Sequence, residues 1–275
     1  MGKLGNFLAL VQNENMKIYR RLRTWIMFGM IIVLPIVFAG LIAFSESHTG
    51  SSQTGAWDMA KNLSSIYFLV SIFTLIVAAD IVAGEFTWGT VKLLLIRPWS
   101  RSKVLLSKLL SVLLFSILMS IVFFIVIISV SMLFFQHNPP AFLELGSTPL
   151  EQVLLVLLYK FIDLLVISSL AFMISTVFRA SGIAIGLSMF IMMAGNTIAV
   201  LLNPIRYPWA KYLLFHNMDL SKYVTNTGGD TSFSFASLYE KAGMSMGFSA
   251  IVLAVYVVVF LAIAWMVFKR RDVAA

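Results

Sequence analysis

The chain has 275 residues with a net charge of +8, and 60% of its residues are apolar while only 12% are charged. That charged fraction is about half the value of an ordinary soluble protein, which excludes a cytosolic globular enzyme and a disordered tail, and the lack of cysteine excludes a secreted disulfide scaffold. A multi-span membrane protein remains, so we expect an all-α polytopic fold that forms one transmembrane domain over residues 1–275.

The first predicted element precedes the apolar runs, within residues 1–24. Apolar residues recur there at helical spacing: Leu4, Phe7, Leu8, Val11, Ile18 and Leu22. The pattern predicts an amphipathic helix in the cytoplasmic membrane interface, with Glu14 and Lys17 on its other faces. Its basic residues would lie near lipid headgroups: Lys17, Arg20, Arg21 and Arg23. The alternative is a simple positive flank of the first span.

Six apolar runs are long enough to cross a bilayer core about 30 Å thick, which needs about 20 helical residues. They cover residues 25–44, 65–83, 109–135, 150–178, 182–202 and 248–268. Lys and Arg number 14 in residues 1–24, 84–108, 179–181 and 269–275, but 5 in residues 45–64, 136–149 and 203–247. Because such an excess marks cytoplasmic segments, we expect both termini in the cytoplasm. Basic residues scattered in this way do not indicate nucleic-acid binding.

Three charged residues fall inside the runs, where a charge is costly and usually faces a cavity or a partner. Asp80 lies near the inner end of the second run, and Lys160 and Asp163 lie within the fourth. The last two are three residues apart and opposite in sign, so they share one helix face. They form either part of a substrate or proton path, or a self-neutralised pair that holds helices together.

Two features of the second half concern packing and the outer side. Gly182 and Gly186 open the fifth run at the spacing that lets helix backbones approach closely, which predicts helix packing there. The longest outer segment, residues 203–247, exceeds the length of most unstructured loops. Its residues 233–241 suggest a short helix on the outer membrane surface, which either closes a pathway or only connects two spans.

The motifs expected of a membrane enzyme or pump are missing. The sequence contains no G-x-x-x-x-G-K-[ST] loop for nucleotide phosphates and no H-E-x-x-H pair for zinc. The three histidines, His48, His137 and His216, fall in outer segments, where we expect them to be solvated. The chain is therefore not expected to be an enzyme or to hold a metal or cofactor.

The segment between the second and third runs, residues 84–108, carries the most specific pattern. Residues 90–96 together with Trp88 predict an amphipathic helix of at most two turns, which Pro98 ends. Ser100 is placed to cap the next helix. A short cytoplasmic helix with one apolar face and a basic rim is suited to a groove of a soluble partner. The alternative is an ordinary positively charged connector.

This segment resembles the permease subunits of bacterial ABC-2 type ATP-binding-cassette transporters. The resemblance depends on Gly84-Glu85, Gly89-Thr90, Leu94-Leu95, Pro98, Ser100-Arg101 and Lys108, at the spacing that family shows after its second span. Six spans, cytoplasmic termini, an amphipathic helix before the first span and a long last outer loop agree with it. The chain departs from commoner members at Phe86-Thr87-Trp88, where charged residues are frequent.

The resemblance implies that residues 85–98 form a coupling helix that contacts a separate ATPase. The residues implied in coupling are Glu85, Trp88, Gly89, Thr90, Leu94, Pro98 and Arg101. It also implies a bacterial plasma-membrane complex of two permeases with two ATPases, in which a second, identical copy meets the fifth span near Gly182 and Gly186. ATP and Mg²⁺ would be bound by the ATPase, not by this chain.

The expected function is therefore that of the membrane-spanning subunit of an ABC exporter for a hydrophobic or amphipathic cargo. Two rival functions remain. One is a proton-coupled carrier that uses Asp80, Lys160 and Asp163. The other is a non-transporting membrane sensor or scaffold, in which the outer loop binds a ligand and the inner loop signals.

Overall fold

The structure, a computed structural model, describes residues 3–49, 54–89, 100–138, 148–223 and 243–270. In these ranges the chain folds into helices and contains no strand. Six of the helices are long and apolar enough to cross a membrane, which confirms the predicted fold class. Residues 233–241 and the segment 90–99 lie outside the described residues, so the two short helices predicted there are not described.

An N-terminal helix, α1 (Lys3–Tyr19), precedes the crossing helices, as predicted. The crossing helices are α2 (Leu22–Thr49), α3 with α4 (Ala56–Leu63 and Tyr67–Thr87, joined by a 3₁₀ turn at Ser64–Ile66), α5 (Arg101–Phe134), α6 (Pro149–Val177), α7 (Ser181–Leu201) and α9 (Met246–Arg270). A short helix, α8 (Leu214–Asn217), lies between the last two.

The second crossing helix begins nine residues earlier than the apolar run predicted. The reason is α3, which buries Ala56, Met59 and Leu63 on one face and carries Asp58 and Lys61 on the other. A hydropathy average over such a mixed helix is low, so the run was expected to start only at residue 65. The apolar face of α3 packs against α5. Just beyond the end of α5, the Gln136 carbonyl oxygen accepts a hydrogen bond of 2.8 Å from the Ala56 N–H.

The crossing helices alternate in direction, so the bundle has two ends. We call the end that holds α1, the last turn of α4 and the first turns of α5 and α7 the terminal face. The guanidinium of Arg101 donates to the Lys269 carbonyl oxygen at 3.2 Å, which brings the end of α9 to the same face. The other end, which holds α3 and residues 203–223, is the opposite face.

The second crossing helix is the central one. In its most apolar stretch 61% of the residues are buried inside the bundle, against 22–50% for the other five crossing helices. Small side chains at Ala78, Ala79 and Ala83 let α6 and α7 approach it closely. Its aromatic residue Phe73 joins a core that includes Phe115 of α5. The polar residues Thr74 and Asp80 of α4 are therefore held in a well-packed environment.

Residues 203–223 fold back into the bundle between α6 and α9. Leu214 and Leu220 pack there against Val166 and Leu253. His216 is 1% exposed, and its Nε2 forms a hydrogen bond of 2.7 Å with the Leu202 carbonyl oxygen. The expectation that His216 is solvated was therefore wrong, because the segment is a folded part of the core and not a free loop.

Two glycine positions on α7 differ in their surroundings. Gly182 and Gly186 face open space: apart from the neighbouring backbone of α7, no atom of the described residues lies within 4 Å of an added Cβ. The predicted packing at this pair is therefore not seen against the helices that the structure describes. At Gly195, in contrast, an added Cβ would lie 2.0 Å from the Phe215 ring, so this ring requires a glycine beneath it.

We expect Gly195→Ala to destabilise the protein, because the Phe215 ring must move to relieve the overlap. Overpacking of this kind costs about 1–3 kcal/mol of unfolding free energy. Gly40→Ala on α2 is the control, because no atom of the described residues outside the neighbouring helix backbone lies within 4 Å of an added Cβ there. It should leave stability unchanged or slightly higher, since alanine is the better helix former. Thermal unfolding of both variants in detergent checks this, and equal midpoints would contradict the placement of Phe215 on Gly195.

Candidate functional site

The terminal face contains a network of four charged side chains, two of them buried, which we call the charge joint: Glu14, Lys17, Glu85 and Lys108. The ammonium of Lys108 lies 2.7 Å from a carboxylate oxygen of Glu14 and 2.7 Å from one of Glu85. Lys17 completes the network, at 2.6 Å from Glu14 and 2.9 Å from Glu85. Lys108 is only 1% exposed and Glu14 only 2%, so these charges are removed from water.

The charge joint connects three helices. Glu14 belongs to α1, Glu85 to the last turn of α4, and Lys108 to the third turn of α5. The Lys108 ammonium also donates to the Ile81 carbonyl oxygen at 3.1 Å, so all three of its N–H bonds have acceptors. Removing any of the three helices would leave a charge buried without compensation.

The apolar face of α1 differs from the predicted one. Val11 and Ile18 are buried against the other helices and Leu8 is exposed, while Leu22, which was predicted for the same face, belongs to α2. Glu14, which was expected on a face away from the core, lies between Val11 and Ile18 in the contact with α5. The prediction followed hydrophobicity, and it was wrong about Glu14 because the partner of this residue, Lys108, is 94 residues away in the sequence.

The two members of the charge joint that belong to α1, Glu14 and Lys17, have shifted pKa values. Burial alone would raise the pKa of the Glu14 carboxyl, but the charges and hydrogen bonds of Lys108 and Lys17 outweigh burial and hold this pKa below its ordinary value. Burial would lower the pKa of Lys17, but the carboxylates of Glu85 and Glu14 outweigh it and raise that pKa. Both shifts favour the ionised network.

A second cluster adjoins the joint, and we call it the arginine clamp: Arg21, Arg23, Asp80 and Ser181. Asp80 is 4% exposed, and one of its carboxylate oxygens accepts hydrogen bonds from both arginines, which belong to the start of α2 and the turn before it. The Ser181 hydroxyl at the start of α7 donates to the other oxygen. The predicted intramembrane charge therefore has three partners, which the sequence did not identify.

Gly84 has a definite role beside the clamp. An added Cβ at this position would lie 2.8 Å from a carboxylate oxygen of Asp80, closer than real contacts allow. The first residue of the Gly84-Glu85 pair therefore leaves room for the Asp80 carboxylate, and the second enters the charge joint. Thr87 adds a further tie, since its hydroxyl oxygen accepts from the Ser181 N–H at 3.0 Å.

The structure describes four of the seven residues that were predicted to couple to an ATPase. Glu85 is in the charge joint, and Trp88 is 76% exposed beside it. Gly89 has a φ of +67°, the left-handed conformation that commonly ends a helix, so it terminates α4. Arg101 lies at the start of α5. The remaining three lie outside the described residues: Thr90, Leu94 and Pro98.

A cavity of about 260 Å³ separates α1 from α4 at this face. Every charged side chain of the charge joint and the arginine clamp lines this cavity except that of Lys108. Its apolar wall consists of Ile18, Val77, Ile81 and Trp88. A second cavity, of about 280 Å³, lies toward the opposite face between α4, α6, α7 and residues 215–219.

The three predicted intramembrane charges belong to different cavities. Lys160 and Asp163 line the second one, where Asp163 accepts the Asp219 N–H at 2.9 Å. Asp80 lines the first one, within the arginine clamp. The structure therefore does not bring all three together into one path.

One enzyme motif is present in the sequence after all: Gly243–Gly247 has the G-x-S-x-G pattern of a serine nucleophile elbow. The hydroxyl of Ser245 accepts the Phe248 N–H at 3.2 Å, which makes it the N-terminal cap of α9. A nucleophile elbow would need this hydroxyl next to a base. The capping contact gives Ser245 a structural role.

We expect Lys108→Met to destabilise the chain strongly, because Glu14 and Glu85 would remain buried and repel each other. Breaking a buried ion pair by removing one partner costs about 3–5 kcal/mol. The triple variant Glu14→Gln, Glu85→Gln, Lys108→Met removes the uncompensated charge and should regain most of the loss. Thermal unfolding in detergent distinguishes the two variants. If Lys108→Met alone were as stable as the parent protein, the buried ion pairs of the charge joint would be contradicted.

The lowered pKa of Glu14 predicts a loss of stability in acid. Between the folded pKa and the ordinary value of 4.5 the unfolded chain binds more protons than the folded one, so stability falls as the pH falls through this window. The thermal midpoint of the parent should therefore drop below about pH 4.5, and Glu14→Gln should show a smaller drop. Identical pH profiles of the two proteins would argue against an ionised Glu14.

The chain is similar to two proteins of Bacillus subtilis (strain 168) along almost their whole length. An alignment of 323 positions with the uncharacterized protein YhcI shows 32% identity and covers 97% of this chain and 99% of the relative. The uncharacterized membrane protein YdbK is 27% identical over 258 residues, which cover 94% of this chain and 99% of that protein. Residues 15–274 match the model of a protein family of unknown function, DUF2705. The chain therefore belongs to the DUF2705 family.

Proposed function

We propose that the chain is the membrane-spanning subunit of an ABC exporter, driven by a separate ATPase that acts on the link between α4 and α5. The observation that carries the proposal is the charge joint. Glu85 lies just before this link and Lys108 just after it, and their ion pair connects both ends of the link to α1. A force on residues 90–99 would therefore move α4, α5 and α1 together.

The lack of a nucleotide-binding motif in the sequence supports the proposal that a separate ATPase supplies the energy. The sequence contains no phosphate-binding loop of its own, so the energy of nucleotide hydrolysis has to enter through a contact with a partner. The link starts at Gly89, where α4 ends abruptly, and Trp88 presents an exposed apolar surface next to it. Such a surface with basic neighbours suits a groove in a soluble protein.

The proposed orientation places the terminal face in the cytoplasm of a bacterial cell. The count of 14 Lys and Arg residues on this side against 5 on the other supports it. The complex would contain two ATPases and a second copy of this chain. The open face of α7 at Gly182 and Gly186 offers that copy a surface on which backbones can approach closely.

The second cavity suggests an amphipathic cargo. Its lining combines the charged residues Lys160 and Asp163 with the apolar residue Ile167 of the same helix. The apolar part of the lining also includes Met192 and Phe215. A ligand with a polar head and an apolar tail matches this mixed lining.

The decisive experiment reconstitutes the full chain with a candidate ABC ATPase, which is sought by its phosphate-binding loop among the products of the neighbouring genes. Glu85→Ala and Gly89→Pro should each lower the ATP hydrolysis that the membrane subunit stimulates by about 2- to 30-fold, the effect of a coupling loss of 0.5–2 kcal/mol. Arg206→Gln on the opposite face is the control and should leave the rate unchanged. Size-exclusion chromatography shows whether each variant remains folded.

Other outcomes would favour the rival functions. Unchanged hydrolysis in both variants would contradict coupling through this link. Cargo movement by the purified chain alone in vesicles with a pH gradient would indicate a proton-coupled carrier. Ligand-stimulated hydrolysis without movement of any cargo would indicate a sensor.

A further inference from the structure

The arginine clamp holds more positive charge than its carboxylate can neutralise. Arg21 and Arg23 both bind the same oxygen of Asp80, while the other oxygen accepts from Ser181. The neighbouring Glu14 and Glu85 are engaged with the lysines of the charge joint. The two clusters together contain four cations and three carboxylates, and the surplus positive charge lies at the arginines.

Both arginines retain donors for a further ligand. Their side chains are 41% and 37% exposed, and each donates one hydrogen bond to Asp80 through a terminal nitrogen. The Nε of Arg23 is buried and has no hydrogen-bond partner among the residues that the structure describes. Planar guanidinium groups with several free N–H bonds bind phosphate oxygens in bidentate fashion.

The adjoining cavity is large enough for a phosphate-bearing group. Its volume of about 260 Å³ is several times the ~30 Å³ that a water molecule occupies in the liquid. Both arginines line it, together with Trp88 and the carboxylates of Glu14, Asp80 and Glu85, each of which is already paired with a cation. The arginine donors that Asp80 does not use and the apolar wall are therefore available to one ligand.

The surroundings of the clamp are those of a bilayer interface. Leu22, which lies between the two arginines in the sequence, is exposed, as is Trp25 at the start of α2. Tryptophan is enriched at the level of lipid headgroups. Exposed apolar groups here favour a lipid over a water-soluble anion, because acyl chains can cover them.

We infer that the arginine clamp binds the headgroup phosphate of an anionic phospholipid, with Arg21 and Arg23 as its ligands and the acyl chains along α2. Binding would hold the α1–α2 turn against α4. This inference does not depend on the proposed transport function, since it requires only that the terminal face lie at a bilayer surface.

The test measures phosphatidylglycerol and phosphatidylcholine of identical acyl chains bound to the purified full chain, by native mass spectrometry. Arg21→Gln with Arg23→Gln should weaken phosphatidylglycerol binding at least about tenfold, because charged hydrogen bonds are lost. Arg20→Gln is the matched control, since Arg20 is exposed and adjacent but does not line the cavity. It should change binding less than about twofold. An equal loss of phosphatidylglycerol binding in the double variant and in Arg20→Gln would indicate diffuse electrostatic attraction of the lipid and would overturn the proposed site.

A second variant separates binding from damage to the fold. Asp80→Asn removes the competing carboxylate but keeps its shape, so both guanidinium groups become available and phosphatidylglycerol should bind more tightly. Weaker or unchanged binding in this variant would contradict the inference. Equal binding of phosphatidylcholine would do the same. Displacement of the lipid by millimolar inorganic phosphate would indicate that the cavity binds a free anion and would overturn the inference of a lipid site.

Discussion

The buried ammonium of Lys108 between Glu14 and Glu85 is the interaction on which the terminal face depends. A charge that is 1% exposed is tolerated only when opposite charges and hydrogen bonds replace its water. Lys108 obtains these from α1 and from two positions on α4, and it belongs to α5 itself. If any one of these three helices moved away alone, it would leave a buried charge without its partner. They form one mechanical unit at the ends of the α4–α5 link.

The arginine clamp extends this unit to α2 and α7. Asp80 is located on the most buried crossing helix, and its carboxylate binds the turn before α2 and the first residue of α7. Gly84 makes the arrangement possible by leaving space for the carboxylate. In the proposed exporter, a displacement of the end of α4 would therefore be transmitted to four neighbouring elements through polar contacts, while the second cavity lies toward the opposite face of the same central helix.

Much of the architecture could be predicted from local patterns. The six crossing helices follow from runs of apolar residues, since a segment of about 20 such residues has few alternatives to a membrane span. The N-terminal helix follows from its periodicity. The helix α3 was missed because its polar half lowers the average hydropathy, and buried His216 was missed because the loop that contains it returns into the bundle.

The number of crossing helices, their alternating direction and the positions of the intramembrane charges can be derived from the chain alone, because they depend on composition along short stretches. Which of the charges meet depends on how the helices pack. Glu14 and Lys108 are 94 residues apart and Arg21 and Asp80 are 59 residues apart, so no local spacing connects them. Their pairing follows from how α1, α2, α4 and α5 pack, since a buried charge accepts whichever opposite charge the packing brings within hydrogen-bond distance.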